Sequence, residues 1–486
     1  MTDAPSGPLA ATAARGVGIL VSRTLLLQLL TVGVTLVLAR LLSPADYGLF
    51  AVATAIQSVA QVASGAGLSA ALIRQPEDPS RRQQRAVSGF LFATGTAFAL
   101  AMLAIAFGAL PIVGVHGDSI KVIAATTLAV PLYALRAVPM VLLERHLGFG
   151  RVALVETAET LSFNAFALAG ALAGLGAFSL AGAVPAAAAA GLLCAAALTR
   201  PGAGLSLDLA AVRALAHFGL RASLLQILTL SRGLGFVAIV TAIGGTTLAG
   251  FYAMASRLFS FPTAIASAMQ RVSFPALARS AAERPRRAGR AAALSATLAS
   301  LPLAMLAGSS HALVTVVLGE RWLPTVDLVL TATPGVLLLA SAIPAMIALE
   351  LSEGRPNVPI AAVLSSALAM ALIAVAAVPS LNSTGVGLAM SGSALVSLVV
   401  LGIWVEPEMR AATPALIRAL AIGSLAAAAG YLAPLGDDLL GLVSQLLLIA
   451  AIWTALAALA MRAELRSALR IARPMLPGRL GDRGAE

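Results

Sequence analysis

The 486-residue chain holds one cysteine, Cys194, and one lysine, Lys121; only 11% of its residues are charged and 5% aromatic. Each shortage excludes something. A single cysteine rules out an internal disulfide and a cysteine-rich metal site. A single lysine, with no GxxxxGK[ST] pattern around it, rules out a P-loop nucleotide site. Four histidines, His116, His146, His217 and His311, are scattered without metal-ligand spacing. The scarcity of charge, set against 59% hydrophobic residues and a mean hydropathy of +0.95, excludes a water-soluble protein of this size. The net charge is +11, carried almost wholly by arginine. Those arginines lie in short gaps between apolar runs. They read as topology signals and contacts to membrane phospholipids, with no nucleic acid among the expected partners.

About 20 apolar residues cross a bilayer as a helix. Spans are predicted at 17–39, 45–73, 87–111, 120–142, 151–173, 177–198, 214–243, 247–277, 291–313, 326–349, 357–378, 385–404, 413–434 and 439–461. The chain therefore reads as an all-α integral membrane protein with about fourteen transmembrane helices. The first stretch carries Arg23 and has no small-residue cleavage site, so it is expected to stay as a helix.

Two basic loops match. Arg74, Arg81, Arg82 and Arg85 recur as Arg279, Arg286, Arg287 and Arg290, each 205 residues on. Upstream, Gly48-Leu49-Phe50-Ala51 is echoed by Gly250-Phe251-Tyr252-Ala253, 202 residues on. A duplicated membrane unit is the build of a transporter, with the substrate path between halves. Six helices per half return the chain to the same side, so the halves are expected to be two six-helix bundles related by a parallel pseudo-twofold axis. The organisation that follows is a tail at 1–16, a bundle at 17–198, a linker at 199–213, a bundle at 214–404, two additional helices at 413–461 and a basic tail at 462–486. Arginine falls on alternate loops and on both ends. The positive-inside rule then predicts cytoplasmic termini and a multi-pass protein of the cytoplasmic (inner) membrane.

Three segments carry a resemblance: LARLLSPADYGLFAVATAIQSVAQVASGAGLSAALIRQ from Leu38, VLLERHLGFGRVALVETAE at 141–159, and AGFYAMASRLFSFPTAIASAMQRVSFPALAR at 249–279. They resemble the polysaccharide transporter family, the oligosaccharide flippases of the multidrug/oligosaccharidyl-lipid/polysaccharide superfamily. The resemblance implies a central cavity between two bundles and alternating access. It also implies a lipid-linked oligosaccharide as cargo, moved between leaflets for polysaccharide synthesis, with no cofactor. A polysaccharide polymerase and glycosyltransferases are the partners that such a role calls for.

Cationic side chains in a wet cavity would offset the lost hydration of a pyrophosphate, and arginine matches phosphate oxygens with its planar fork. Arg257 stands about ten residues into its span, roughly 15 Å deep at about 1.5 Å per residue. Arg232 is deep in the preceding span, and Arg23 about six residues into the first, roughly 9 Å deep. Related lipid-II flippases use cavity arginines on helices 1, 2 and 8, and Arg23 and Arg257 fall on the first and last of these. The second helix here has no arginine. It has Gln57 and Gln61, one turn apart, suited to sugar hydroxyls. Each has a bland alternative: a bond to a backbone carbonyl for the deep arginines, snorkelling for Arg23, interhelical contact for the glutamines. Glu156 and Glu159 are the only acids well inside a predicted span and share one helix face. They read as an ion-coupling pair or as salt-bridge partners of Arg136, Arg145 or Arg151.

Two rival functions stand beside the flippase. A cation-coupled multidrug exporter of the same superfamily would favour an acidic, aromatic-lined cavity, whereas this chain has three Trp and four Tyr. An integral membrane glycan-assembly enzyme would need acidic catalytic residues in sizeable outer loops, and here those loops are short with isolated acids. No catalytic residue is expected.

Overall fold

The structure is a computed structural model that describes residues 27, 30–65, 68, 72, 78–109, 117–146, 148–199, 204–278, 283–350, 357–404, 410, 412–433, 435–462 and 464–466. The described residues are helical, with no strand among them. Helix α1 spans Leu30–Leu41, α2 Pro44–Gly65, α3 Arg81–Ala104, α4 Asp118–Thr127 and α5 Ala129–Arg145. Then come α6 Phe149–Leu172, α7 Ala177–Thr199, α8 Leu209–Ala278, α9 Arg284–Gly308, α10 Pro324–Glu350, α11 Asn357–Trp404, α12 Thr413–Leu432 and α13 Leu439–Ala460.

Ten helices among the described residues are long and apolar enough to cross a membrane. The predicted spans 214–243 and 247–277 run together as α8, and 357–378 and 385–404 run together as α11. Each contains one non-helical residue. Gly245 has φ 71° and ψ −177°, a conformation open to glycine almost alone. Asn382 has φ 47° and ψ −119°, the first central position of a tight II′-type turn, where Asn is tolerated. The chain reverses there: a Cβ on Gly385 would lie 2.7 Å from the Ala377 backbone, and Gly392 lies against Ile373.

Helices start earlier than the apolar runs predict. α3 begins at Arg81 rather than 87, and α9 at Arg284 rather than 291. Ser80 explains the first. Its Oγ accepts from the Gln83 N–H at 3.2 Å, and Gln83 Oε1 accepts from the Ser80 N–H at 2.9 Å. This capping box satisfies donors that the helix would otherwise leave open. Arg81, Arg82 and Arg85, and likewise Arg286, Arg287 and Arg290, therefore stand on helix ends projecting beyond the apolar stretch, while Arg74 and Arg279 lie outside the described residues.

The chain divides into two compact units, Met1–Thr241 and Ala242–Glu486. In the first, α7 packs against α6 and α5, and α5 against α3. In the second, α10 packs along α11 and α9 along α12, which also meets α13. Large apolar side chains face outward, among them Leu172, Leu193, Leu432 and Leu440 at 68–77% exposure. In water such a surface would drive aggregation; here it is the lipid-facing side.

Lipid supplies no hydrophobic force between helices, so polar bonds and close packing hold them. One device is clear in α10. Pro334 interrupts the helix, and the Ser391 hydroxyl of α11 inserts beside it. Ser391 Oγ accepts from the Gly335 N–H at 3.0 Å and donates to the Thr331 carbonyl at 2.6 Å. The hydroxyl thus bridges a backbone N–H and the carbonyl one turn before it, beside the proline.

Candidate functional site

The first unit gathers most of the predicted polar residues. Gln57 is buried at 5% exposure on α2, and its Nε2 donates to Gln61 Oε1 at 3.4 Å. The helical spacing puts both amides on one face. Asp46, at the start of α2, accepts from the Ala177 N–H at the start of α7 at 3.1 Å. Phe50 and Phe163 rings lie 6.3 Å apart. Gln57 follows Phe50 by seven residues along α2, and Glu156 precedes Phe163 by seven along α6, about 10 Å in each case.

Glu159, one turn beyond the exposed Glu156, is half-buried. Its Oε1 lies 2.6 Å from Arg136 Nε on α5, and both side chains are 18% exposed. The two atoms are close but poorly aligned, so the contact is an ion pair rather than a good hydrogen bond. The Tyr133 ring lies 5.7 Å from the guanidinium carbon of Arg136. Gly191 of α7 makes room for this pair, because a Cβ there would collide with the Glu159 carboxylate. A second polar bond joins α1 and α6, where Asn164 Nδ2 donates to Thr31 Oγ1 at 3.2 Å. Asn164 was absent from the sequence-based site, although an asparagine in an apolar run is a visible signal.

The charged end of this unit is also tied. Asp78 Oδ1 accepts from Arg145 Nε at 2.7 Å, and Arg145 also donates to the Leu72 carbonyl at 3.0 Å. The Arg145 bond, with help from His146 at 3.4 Å, holds the Asp78 carboxyl below its ordinary value. Asp208 is lowered as well, first by the Ala211 N–H that it accepts and then by Arg82.

The three arginines proposed for the cargo are placed as follows. Arg232 is half-buried on α8 within the first unit. Arg257 is half-buried on the later part of α8, in the second unit, between buried Met254, Ala255 and Phe259. Its backbone carbonyl accepts from Ser260 Oγ at 2.6 Å. Arg23 lies outside the described residues.

A multi-pass, all-helical membrane architecture with cations inside its spans defines a class, and comparison with known structures gives the class its fold. The chain is similar to "Lipid II flippase MurJ, inward closed conformation", with TM-score 0.72, 11% identity and coverage of 92% of this chain and 99% of that one. It is also similar to an inward-facing multidrug resistance MATE family transporter of the MOP superfamily (TM-score 0.57, 15% identity, 80% and 95% coverage). An outward-facing transporter of that family matches with TM-score 0.50, 13% identity and 81% and 96% coverage. No match was found among curated protein sequences. The family follows from the sequence itself: residues 37–327 match the model described as polysaccharide biosynthesis protein, and the chain belongs to that family.

Proposed function

We propose that this protein is a flippase that moves an undecaprenyl-pyrophosphate-linked oligosaccharide across the cytoplasmic membrane, with both termini in the cytoplasm, by alternating access. The observation that carries the reading is Arg257, a cation held half-buried in a membrane-spanning helix of a protein with a transporter fold. A mid-membrane arginine costs roughly 2.5–3.5 kcal/mol on insertion scales, so such a position calls for a use. The membership in a polysaccharide biosynthesis family supports a glycan as cargo.

In this reading Arg23, Arg232 and Arg257 engage the pyrophosphate, while Gln57 and Gln61 present amides to sugar hydroxyls. Glu156 and Glu159 couple transport to an ion. Protonation of Glu159 would neutralise one member of the pair with Arg136 and release the guanidinium toward Tyr133. Polymerase and glycosyltransferases act before and after the flip, and the protein itself performs no bond chemistry.

The test is deletion of the gene with analysis of lipid-linked glycans in the inner leaflet. Accumulation of an undecaprenyl-linked repeat unit, rescued by wild type and not by Arg257→Ala, is the expected result. A strain that makes the repeat unit, lacks a second flippase and accumulates nothing would overturn the reading in favour of multidrug export.

A further inference from the structure

α8 begins in one unit and ends in the other. Its backbone runs helical from Leu209 and departs from helical geometry at Gly245, just past Thr241, where the first unit ends. The repeat counts this stretch with the second half, yet the compact unit that holds it is the first. The contacts at its start hold it there.

Residues 204–208 link α7 to α8 and lie across the start of α3. The Ser206 N–H donates to the Arg85 carbonyl at 3.1 Å. A carbonyl has two lone pairs, so Arg85 can accept this bond beside the one that its own helix supplies. Gly89, one turn on, leaves the room: a Cβ there would collide with the Ser206 carbonyl and come within 2.8 Å of the Ser206 nitrogen. Asp208 uses its two oxygens for two tasks. Oδ1 accepts from the Ala211 N–H at 3.2 Å and caps α8, while Oδ2 accepts from Arg82 Nε at 2.7 Å. In the first turn of α8, Val212 is 4% exposed, in a cluster with Ala86, Val87 and Leu91 of α3 and Leu142 of α5. The Arg82 side chain is 78% exposed, so its pair adds little by itself. The seat at Gly89 and the burial of Val212 carry most of the hold.

The segment held in this way carries Arg232. That residue is 24 positions after Asp208, about 36 Å along the helix axis. Phe236, one turn further on the same face, and Val240 are buried at 2% and 0%. The bearing of this part of α8 is therefore set at two places, the linker and the Phe236 turn. A packed helix passes a shift at one end to the other, and a binding side chain must be held to within about 0.5 Å.

We propose that Gly89 and Asp208 are positioning residues for Arg232. By seating the linker on α3 they fix the first part of α8 on the first unit, and so set where the Arg232 guanidinium meets a pyrophosphate. The proposal rests on the reading that Arg232 engages the pyrophosphate of the cargo.

The test is Gly89→Ala in the full-length protein. Alanine suits a helix interior better than glycine, so α3 itself is not weakened, and the added methyl is a wedge under the linker. Hydrogen exchange should speed about fivefold or more at the Ser206, Ala211 and Val212 amides, the weight of a lost bond. Affinity for undecaprenyl pyrophosphate in detergent should fall about tenfold in Arg232→Ala and about fivefold in Gly89→Ala. The double variant should bind no more weakly than Arg232→Ala, because a residue that acts through Arg232 has nothing to act on once the guanidinium is gone. Asp208→Asn keeps a capping side chain and gives up the charge, so a fall of about twofold is expected. Thermal unfolding checks that each variant is folded. Should Gly89→Ala fail to fold, Asp208→Ala, which removes cap and pair together, takes the same double-variant test.

Additive losses in the double variant would overturn the proposal. So would wild-type affinity in a folded Gly89→Ala protein whose linker amides exchange faster, or unchanged exchange at Ser206. Failure of the underlying reading looks different: Arg232→Ala would then bind undecaprenyl pyrophosphate as wild type does, which removes Arg232 from the site and the proposal with it.

Discussion

The two halves carry the same arginines and use them differently. Arg82 reaches 126 positions along the chain to Asp208, whereas its counterpart Arg287 reaches four positions to Glu283. Further in, Arg136 pairs with Glu159 in the first half, and 205 residues on the chain has Ser341 and Leu364 instead. Ser341 is buried, and Leu364 is 49% exposed. The repeat has kept the cations at the starts of α3 and α9. The acids have diverged. The first half joins Arg82 to Asp208 and Arg136 to Glu159, whereas the second joins Arg418 to Glu464 and sets His311 against Asp437, at positions the repeat does not share.

The largest effect should come from splitting the Arg136–Glu159 pair. Arg136→Ala strands a mostly buried carboxylate, and about 3 kcal/mol of stability should be lost. Thermal unfolding of the purified protein would show it, and the double variant Arg136→Met with Glu159→Leu should recover most of the loss. The matching change in the second half, Ser341→Ala, should cost less than about 1 kcal/mol. Similar losses from the two would erase the contrast.

Next comes Ser391→Ala, which strands the Gly335 N–H and the Thr331 carbonyl beside Pro334. A cost of about 1–3 kcal/mol is expected, because a membrane helix has no water to satisfy them. Ser391→Thr keeps the hydroxyl and should retain more stability than Ser391→Ala. An alanine variant as stable as wild type would remove the relay from the account.

The Arg82–Asp208 pair of the first half gives a pH prediction. Asp208 binds its proton less readily in the folded chain than at its ordinary value of 3.8. Between the folded value and 3.8 the unfolded chain therefore binds more protons, and stability rises with pH. The contribution is fully present above 3.8 and is lost as pH falls through the lower folded value. Asp208→Asn should flatten that part of the acid unfolding curve, leaving the share that Asp78 contributes for the same reason. An unchanged acid limb would show that the Arg82–Asp208 pair adds nothing. The smallest effect is expected at its counterpart: Glu283→Gln breaks only an exposed i,i+4 pair and should move stability by less than about 0.5 kcal/mol.

Much of the fold was legible because a bilayer demands long apolar runs, and those runs survive any uncertainty in packing. The helix starts at Arg81 and Arg284 were not, since arginine is a good helix former, and at Arg81 a capping box carries the helix past the end of the apolar stretch. Glu159 announced itself as an acid in an apolar run, and Arg136 was among its candidate partners. Which arginine it meets depends on how α5 and α6 are rotated, and α6 has no strong apolar stripe to fix that. The Ser391 relay was hidden for a different reason: serines are common in membrane helices, and only the position of Pro334 across the interface gives this one a task.

We propose that a lipid-linked oligosaccharide crosses the membrane through this protein with the help of Arg257. It is tested most directly in proteoliposomes holding the purified protein and a labelled undecaprenyl-pyrophosphate oligosaccharide in one leaflet, with a lectin or glycosidase reporting its arrival in the other. The account predicts protein-dependent arrival with wild type, a loss of at least about tenfold with Arg257→Ala, and partial activity with Arg257→Lys, which keeps the charge without the fork. Arrival at the rate of empty liposomes, from folded wild-type protein supplied with the glycan that its own cell makes, would contradict it.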